Sequence, residues 1–179
     1  MNDLQTIVLG GGCFWCTEAV YVRVKGITDV ESGYSNGQAA RPSYEDVCTG
    51  RTGCNEVVKL TYDPALISTR EILEIFFVIH DPTTLNRQGN DAGTQYRSGI
   101  YFTTPEQKTV ADDLLREMGQ DKLFSAPIVT EVLPLAHYWP AEDYHQDFFA
   151  RNPHQGYCLA VAAPKVAKFR KTFARLAKD

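Results

Sequence analysis

The sequence predicts a single α/β domain in which helices pack on a β-sheet. Short apolar runs rich in β-forming residues alternate along the chain with longer amphipathic segments, which is the pattern of strands and helices in a layered fold. A chain of 179 residues has the size of one domain with a substantial core. This alternation leaves the strand order open, so a mixed sheet fits it as well as a parallel one.

Five segments have the length and composition of strands. Residues 6–9 are apolar and lead into three glycines, whose freedom of backbone angle allows a tight turn. The segment 55–62 is rich in β-forming residues, and Asp63-Pro64 ends it. The predicted strands are 6–9, 27–34, 55–62, 98–103 and 128–133.

Six segments are predicted to be helical. Ser68 or Thr69 can cap the third, which has a broad apolar face and ends at His80-Asp81-Pro82. Pro105 followed by an acidic residue opens the fourth. The predicted helices are 15–24, a short turn at 43–48, one ending at 79, one beginning near 105, 140–150 and 163–177, with polar loops at 35–42 and 83–94.

Charge and hydropathy argue against several function classes. The formal charge is −4 and no long basic run occurs, so nucleic acid is not expected as the main partner. No segment has the length and apolarity of a membrane span, and residues 1–5 lack the basic and apolar parts of a secretory signal. We therefore expect a cytoplasmic protein with no membrane partner. A monomer is the expected state.

The most informative stretch is Gly10-Gly11-Gly12-Cys13-Phe14-Trp15-Cys16. Because a helix is predicted to begin within it, Cys13 lies at or near a helix N-terminus. Unpaired N–H groups and the helix dipole favour a negatively charged sulfur there. The sequence therefore predicts a lowered pKa for the Cys13 thiol, and a nucleophile whose two aromatic neighbours face an apolar group of the substrate.

The chain contains five cysteines, and an odd number in a chain of this size argues against a secreted disulfide framework. Cys13 and Cys16 lie on one helical face, so a disulfide between them is geometrically feasible. A zinc site formed by the first four cysteines is an alternative, but Cys48 and Cys54 are spaced more widely than zinc ligands usually are. Cys48 is predicted to be a small buried side chain.

Glu56 stands alone in a run otherwise suited to a buried strand. A carboxylate at a strand start is usually solvated, whereas in an apolar pocket its pKa rises and it can act as a general acid. The loop 87–98 carries many hydrogen-bonding side chains and is either a surface loop or a binding loop. Tyr44 and Tyr96 are either packing aromatics or hydroxyl donors to a substrate oxygen. The four histidines show no metal-like clustering, and no metal is expected.

Several separated motifs, in this order, resemble the methionine sulfoxide reductase A family over about residues 7–171. Gly12-Cys13-Phe14-Trp15 is similar to the active-site signature of that family. The other matching motifs are Ser32-Gly33-Tyr34, 44–50, Glu56-Val57-Val58, His80-Asp81-Pro82, 88–91, 93–98, 141–146 and Gly156-Tyr157-Cys158.

The resemblance implies one two-layer domain over residues 1–179, with a ferredoxin-like core on which 156–158 and the final helix pack. It implies an enzyme that reduces the S epimer of methionine sulfoxide, free or protein-bound, with thioredoxin as reductant and without a cofactor. Cys13 would be the nucleophile, and Phe14 and Trp15 would form the pocket for the methyl group on the substrate sulfur.

In the same way, the resemblance makes Glu56 the proton donor, and Tyr44, Tyr96 and Asp91 would complete the oxygen site. Cys158 matches the C-terminal resolving cysteine of the family.

Two departures from the family pattern concern cysteines. Cys16 stands where the family often has glycine, and Cys54-Asn55 where it commonly has His-Ala. We expect Cys158 to resolve the sulfenic acid, with Cys16 as an alternative resolver or a member of a thiol relay, and Cys54 as a spectator. The main alternative function is a general thiol-disulfide oxidoreductase that uses only Cys13 and Cys16.

Overall fold

The computed structural model describes residues 3–178, which form a mixed β-sheet packed by helices. The strands are β1 (Gln5–Gly10), β2 (Ile27–Ser35), β3 (Asn55–Tyr62), β4 (Arg87–Gln88), β5 (Asp91–Ala92), β6 (Gly99–Phe102), β7 (Glu131–Pro134) and β8 (Trp139–Pro140). The helices are α1 (Phe14–Tyr21), α2 (Tyr44–Cys48), α3 (Thr69–Ile79), α4 (Pro105–Gln120), α5 (Phe148–Arg151) and α6 (Ala163–Thr172).

The main sheet has the strand order β7-β6-β1-β3-β2-β8. Its four central strands, β6, β1, β3 and β2, run antiparallel to one another in this order. Because α1 connects β1 to β2 and α3 lies between β3 and β6, these elements form the βαββαβ arrangement of a ferredoxin-like core. The added edge strand β7 is parallel to β6, which makes the sheet mixed and confirms the expected fold class.

The alternation of side chains along β1 and β3 separates a large core from a small one. Ile7 and Leu9, with Leu60 of β3, face the large core beneath α1, α3, α4 and α6. Val8 and Val57 face the opposite side of the sheet, where a small cluster also contains Tyr101. Glu56 has the same parity along β3 as Leu60, and its side chain therefore points toward the helices.

Two helices, α3 and α2, begin at complete capping boxes. Ser68 accepts a hydrogen bond from the N–H of Glu71, whose carboxylate accepts one from the N–H of Ser68. Ser43 and Asp46 form the same reciprocal pair at α2. Each cap satisfies two N–H groups that have no partner within the helix. The predicted cap of α3 and its end at His80 are confirmed.

Several predicted boundaries need correction. Helix 15–24 ends earlier, at Tyr21, and strand 128–133 becomes β7 at Glu131–Pro134. Helix 163–177 ends at Thr172, with a separate 3₁₀ turn at Ala174–Leu176. The polar loop 83–94 contains the hairpin β4–β5.

The helix predicted at 140–150 is wrong. Pro140 pairs with Gly33 in the sheet, and only a 3₁₀ turn at Asp143–His145 and the short α5 follow. Asp147 between them has φ +54°, a left-handed conformation that interrupts any helix. The segment is shaped by its contacts with the sheet and with α1 rather than by helical propensity. Within residues 3–178, none of the helices has the length and apolarity that crossing a membrane requires.

A pair of glycine substitutions tests the packing at the end of β1. A Cβ on Gly10 would lie 2.9 Å from Cγ of Asn55, whose amide donates to the Arg97 carbonyl and the Tyr101 hydroxyl. We expect Gly10→Ala to lower the free energy of unfolding by about 1–3 kcal/mol through overpacking. Gly119→Ala in α4 meets open space and should raise it by about 0.5–1 kcal/mol. Urea titrations measure both, and equal effects would contradict the packing described here.

Candidate active site

Cys13 lies between the end of β1 and the first turn of α1. It is half-buried and directly precedes Phe14, with φ −59° and ψ 128°. The preceding Gly12 has φ +96°, and a Cβ there would lie 2.7 Å from Cγ of Gln88, so only glycine fits this turn. The predicted position of Cys13 at a helix N-terminus is confirmed.

The carboxyl group of Glu56 lies beside this turn and is almost without solvent contact, at 1% exposure. The N–H of Phe14 donates to its Oε1 at 3.2 Å, and Oε2 has no hydrogen-bond partner within residues 3–178. Burial raises the pKa of Glu56 to about 8, the Phe14 N–H lowers it in part, and the nearby Asp91 and Cys16 raise it further. At neutral pH the side chain is therefore a neutral acid with an O–H to donate.

The expectation of a lowered pKa for Cys13 is wrong in this structure. Loss of water around the sulfur raises its pKa well above the usual thiol value, and a hydrogen bond with Cys16 and the charge of Glu56 raise it further. The hydrogen bond with Cys13 lowers the pKa of Cys16, and the charge of Lys165 acts in the same direction. The effect of burial on the pKa of Cys13 therefore exceeds that of the helix N-terminus. Within the pair, a negative charge is more favourable on Cys16 than on Cys13.

Cys16 is buried in the first turns of α1, and its sulfur lies 3.7 Å from the hydroxyl oxygen of Tyr157. That hydroxyl donates a hydrogen bond to Oδ2 of Asp91 in β5. Cys158 is the next residue and begins a π-helical turn, Cys158–Ala162, that continues into α6. Its thiol is also buried, and burial together with the charge of Cys16 raises its pKa.

Two tyrosines lie near the Glu56 carboxyl. Tyr44 is the first residue of α2, where its N–H donates to Oε2 of Glu142 at 2.9 Å. Tyr96 ends the 3₁₀ turn Thr94–Tyr96. Burial is the main cause that raises the pKa of both phenols, and the charge of Glu56 adds to it. Both hydroxyls therefore keep their protons at neutral pH and can donate hydrogen bonds.

An aromatic cluster forms one wall beside Cys13. Phe14 is buried, with its ring 4.9 Å from that of His145. Trp15 stacks on Phe148 of α5 at 3.7 Å between ring centroids and an angle of 3°. The indole N–H of Trp15 donates to Nδ1 of His145 at 2.9 Å, which holds the ring in one orientation. Burial lowers the pKa of His145, in keeping with its acceptor role.

The remaining cysteines lie in different environments. Cys48 is exposed, which corrects the prediction that it is buried, because the single turn of α2 directs only Val47 into the core. Cys54 is buried against Gly37, where a Cβ would lie 2.6 Å from Cα of Cys54. Among the described residues, no group of three or more His, Cys, Asp or Glu side chains is arranged to hold a metal ion. The zinc alternative therefore has no geometric support.

The structure also reveals residues whose importance sequence reasoning missed. From the sequence, the histidines were considered only as possible metal ligands, yet His145 orients Trp15. Tyr157 connects Cys16 with Asp91, and Glu142 accepts from the hydroxyl of Tyr34 at 2.8 Å. The signal available beforehand was that all three lie within motifs that resemble the reductase family, 141–146 and 156–158.

Comparison with known proteins identifies the family. The family model described as peptide methionine sulfoxide reductase matches residues 5–177. The chain belongs to the peptide methionine sulfoxide reductase family. It is 54% identical to the peptide methionine sulfoxide reductase MsrA of Polynucleobacter asymbioticus, over 98% of this chain and 93% of that protein.

Solved structures of this family have the same fold. Mxr1 from Saccharomyces cerevisiae in its reduced form aligns with a TM-score of 0.80 and 36% identity, over 90% of this chain and 94% of that one. Mxr1 in complex with Trx2 aligns with a TM-score of 0.56 and 25% identity, over 83% of this chain and 88% of that one.

The buried acid predicts a pH-dependent stability. Glu56 has a pKa of about 8 in the folded protein and its ordinary value near 4.5 when unfolded, so between these values unfolding releases a proton. We expect the free energy of unfolding to fall as pH rises from 4.5 to 8, and Glu56→Gln to remove most of the fall between pH 7 and 8.

Urea titrations at pH 5, 7 and 8 measure this effect. Glu18→Gln is the matched control, because burial raises the pKa of Glu18 only to about 7, and its contribution ends near that pH. An unchanged fall between pH 7 and 8 in Glu56→Gln would contradict a protonated carboxyl at this position.

Proposed function

We propose that the protein reduces the S epimer of methionine sulfoxide, free or within proteins, to methionine. The observation that carries this proposal is the pairing of the Cys13 thiol with Glu56, a buried neutral acid whose Oε2 has no partner within residues 3–178. A sulfoxide oxygen leaves only when it is protonated, so its reduction requires a nucleophile and an acid in one site. Thiol-disulfide exchange alone needs no such acid.

In the proposed reaction, the Cys13 sulfur attacks the sulfur of the substrate while Glu56 donates its proton to the oxygen. The protonated oxygen then passes from the substrate sulfur to the Cys13 sulfur. The substrate sulfur–oxygen bond and the bond between the two sulfurs break, an oxygen–sulfur bond forms on Cys13, and methionine leaves with the electron pair on its sulfur. Cys13 is left as a sulfenic acid. Tyr44 and Tyr96, whose hydroxyls keep their protons, donate hydrogen bonds to the same oxygen. We assign Asp91 an indirect part in this oxygen site, because its carboxylate accepts from Tyr157.

The nucleophile loses its proton within the cysteine pair. Because the pKa of Cys16 is lowered while that of Cys13 is raised, Cys16 is the more readily ionised of the two thiols, and its thiolate is available to accept the Cys13 proton as the attack begins. The methyl group on the substrate sulfur then lies against Phe14 and Trp15. His145 holds the Trp15 ring for this contact through the hydrogen bond to its indole.

We propose that Cys16 resolves the sulfenic acid first and that Cys158 follows, which reverses the order expected from the sequence. Cys16 lies one helical turn from Cys13, a spacing that suits a disulfide. Cys13–SOH and Cys16–SH then give a disulfide and water. Attack by Cys158 on Cys16 then releases the Cys13 thiolate and transfers the disulfide to Cys16 and Cys158. The position of Cys158 supports this step, since it directly follows Tyr157, whose hydroxyl lies 3.7 Å from the Cys16 sulfur.

The final disulfide needs an external dithiol, and we propose thioredoxin. The complex of yeast Mxr1 with Trx2 supports this assignment. We also propose that residues 1–179 act as one catalytic domain in the cytoplasm, where thioredoxin systems keep thiols reduced. Recovery of the activity outside the cytosolic fraction of the source cells would contradict this location.

The acid assignment predicts a large kinetic effect. We expect Glu56→Gln to lower turnover of methionine-S-sulfoxide by about a hundred- to ten-thousand-fold, since general acid assistance is lost. The unmodified enzyme should lose rate as pH rises through about 8, where Glu56 gives up its proton, and the variant should lack this decline. Assays with dithiothreitol and each epimer measure both, with the R epimer as the unreactive control.

A Glu56→Gln variant as fast as the unmodified protein would refute the mechanism. Reduction of disulfide peptides without any conversion of sulfoxide would favour the general oxidoreductase.

The order of disulfides predicts different products in three cysteine variants. Cys13→Ser should abolish reduction. Cys158→Ser should release one methionine per enzyme, form the Cys13–Cys16 disulfide and lose recycling by thioredoxin. Cys16→Ser should accumulate the sulfenic acid, which dimedone labels. Peptide mapping without reductant identifies each product, and Cys48→Ser, at an exposed position, is the control. A Cys13–Cys158 disulfide formed at full rate in Cys16→Ser would restore the order expected from the sequence.

A further inference from the structure

An open groove runs along the protein between the end of α3 and the first turns of α6. Its volume is about 740 Å³, which is within the range of binding sites for several side chains. Phe77, Ile79 and Phe124 form its apolar part, and Lys165 and Lys168 lie along one side. We call this feature the lysine groove.

The lysine groove is continuous with the surroundings of the catalytic cysteine. Gln88 and Lys165 also line a smaller cavity of about 210 Å³, together with Asp91 and Tyr157. The Tyr157 hydroxyl lies 3.7 Å from the sulfur of Cys16, and Gln88 packs against Gly12. A substrate polypeptide that extends from the Cys13 sulfur in this direction passes Gln88 and Lys165 and enters the groove.

The charge of the lysine groove differs from that of the whole protein. The chain carries a formal charge of −4, yet neither Lys165 nor Lys168 forms a salt bridge with any residue from 3 to 178, whereas Lys59 and Lys108 do. The one carboxylate on the groove, Asp81, accepts hydrogen bonds from the N–H and hydroxyl of Thr83.

The buried His80 does not add to this positive charge at neutral pH. Burial lowers its pKa to about 4, so its ring is uncharged. Lys165 is half-buried and Lys168 is exposed. Two ammonium groups that form no salt bridge within residues 3–178 therefore border an apolar channel that leads to the reactive site.

We propose that the lysine groove binds the polypeptide next to the oxidised methionine and favours substrates with an acidic side chain a few residues from it. An apolar side chain of the substrate lies on the phenylalanines, and its carboxylate pairs with Lys168 at the outer end and Lys165 at the inner end. This inference rests on the proposed function, since it names the substrate class of the same site. It assigns Lys168 a role in specificity and none in the chemical step.

A matched set of peptides tests the proposal. Each peptide carries one methionine-S-sulfoxide and a single glutamate or lysine two to four residues away, on either side, and dithiothreitol is the reductant. We expect kcat/KM to be about two- to fivefold higher for glutamate than for lysine on one side of the sulfoxide, the range of an exposed charge pair. The difference should shrink in 1 M salt, where the screening length is about 3 Å.

Charge reversal at Lys168 provides the decisive variant. Lys168→Gln should reduce the preference to the part that Lys165 supplies, and Lys168→Glu should reduce it further or invert it. Neither should change the rate with free N-acetyl-methionine-S-sulfoxide, which does not reach the groove. Lys171→Glu is the control, because Lys171 is exposed on the same helix and does not line the groove.

Equal kcat/KM for glutamate and lysine peptides, or an unchanged preference in Lys168→Glu, would overturn the proposal. Loss of rate in Lys168→Glu only when thioredoxin replaces dithiothreitol would also overturn it and assign the groove to the reductant. Failure to reduce the free sulfoxide at all would instead refute the proposed function, so the two failures are distinguishable.

Discussion

The candidate site depends on the burial of the Glu56 carboxyl group, which forms no salt bridge with any residue from 3 to 178. β3 lies between β1 and β2, so water cannot reach a side chain that points from it into the helical layer. A single N–H, that of Phe14, contacts the carboxyl, and one contact is too little to hold a full negative charge in such a place. The proton that Glu56 keeps is therefore a consequence of its position in the sheet. A glutamate at the same place whose carboxyl accepted several hydrogen bonds would have an ordinary pKa and would be ionised at neutral pH.

The negative charges of the site oppose one another: the charge of Glu56 raises the pKa of Cys13, and the charges of Asp91 and Cys16 raise that of Glu56. An ionised thiolate is thus most stable when the carboxyl is protonated, which is the combination that sulfoxide reduction needs. Groups that interact this strongly titrate as a unit rather than singly. Cys16 belongs to the same unit, since it shares a hydrogen bond with Cys13 and its pKa is lowered as that of Cys13 rises.

Local patterns in the sequence predicted those parts of the fold that local physics controls. Strand β3 was predicted at its observed bounds, and Ser68 and His80 at the ends of α3, because β-propensity and capping act within a few residues. The segment 140–150 was predicted wrongly because long-range pairing with Gly33 and contacts to α1 override its helical composition.

The same contrast between local and long-range effects applies to the candidate site. The position of Cys13 followed from the glycines and the helix start, but its pKa depends on atoms from β3 and α1 that only the folded chain brings together. The sequence predicted a raised pKa for Glu56 only if the side chain is buried. It could not show that burial, because an alternating pattern does not reveal which strand lies at the centre of the sheet. His145 was missed because its partner, Trp15, lies 130 residues away.

Beyond the pairing of β8 with β2, the C-terminal segment 141–162 closes the site mainly through side-chain contacts. Helix α5 has four residues, which is too short to be stable alone. Two contacts hold it in place: the N–H of Asp147 donates to the buried carboxylate of Glu18, and Phe148 stacks on Trp15. Tyr157 ties the other end to Asp91 and Cys16. A few contacts thus support both the aromatic wall and the backbone that carries Cys158. A segment held in this way can be released by the loss of a small number of hydrogen bonds, whereas a strand or long helix cannot. In the proposed reaction Cys158 meets first another cysteine and then an external dithiol, and such an attachment suits that movement.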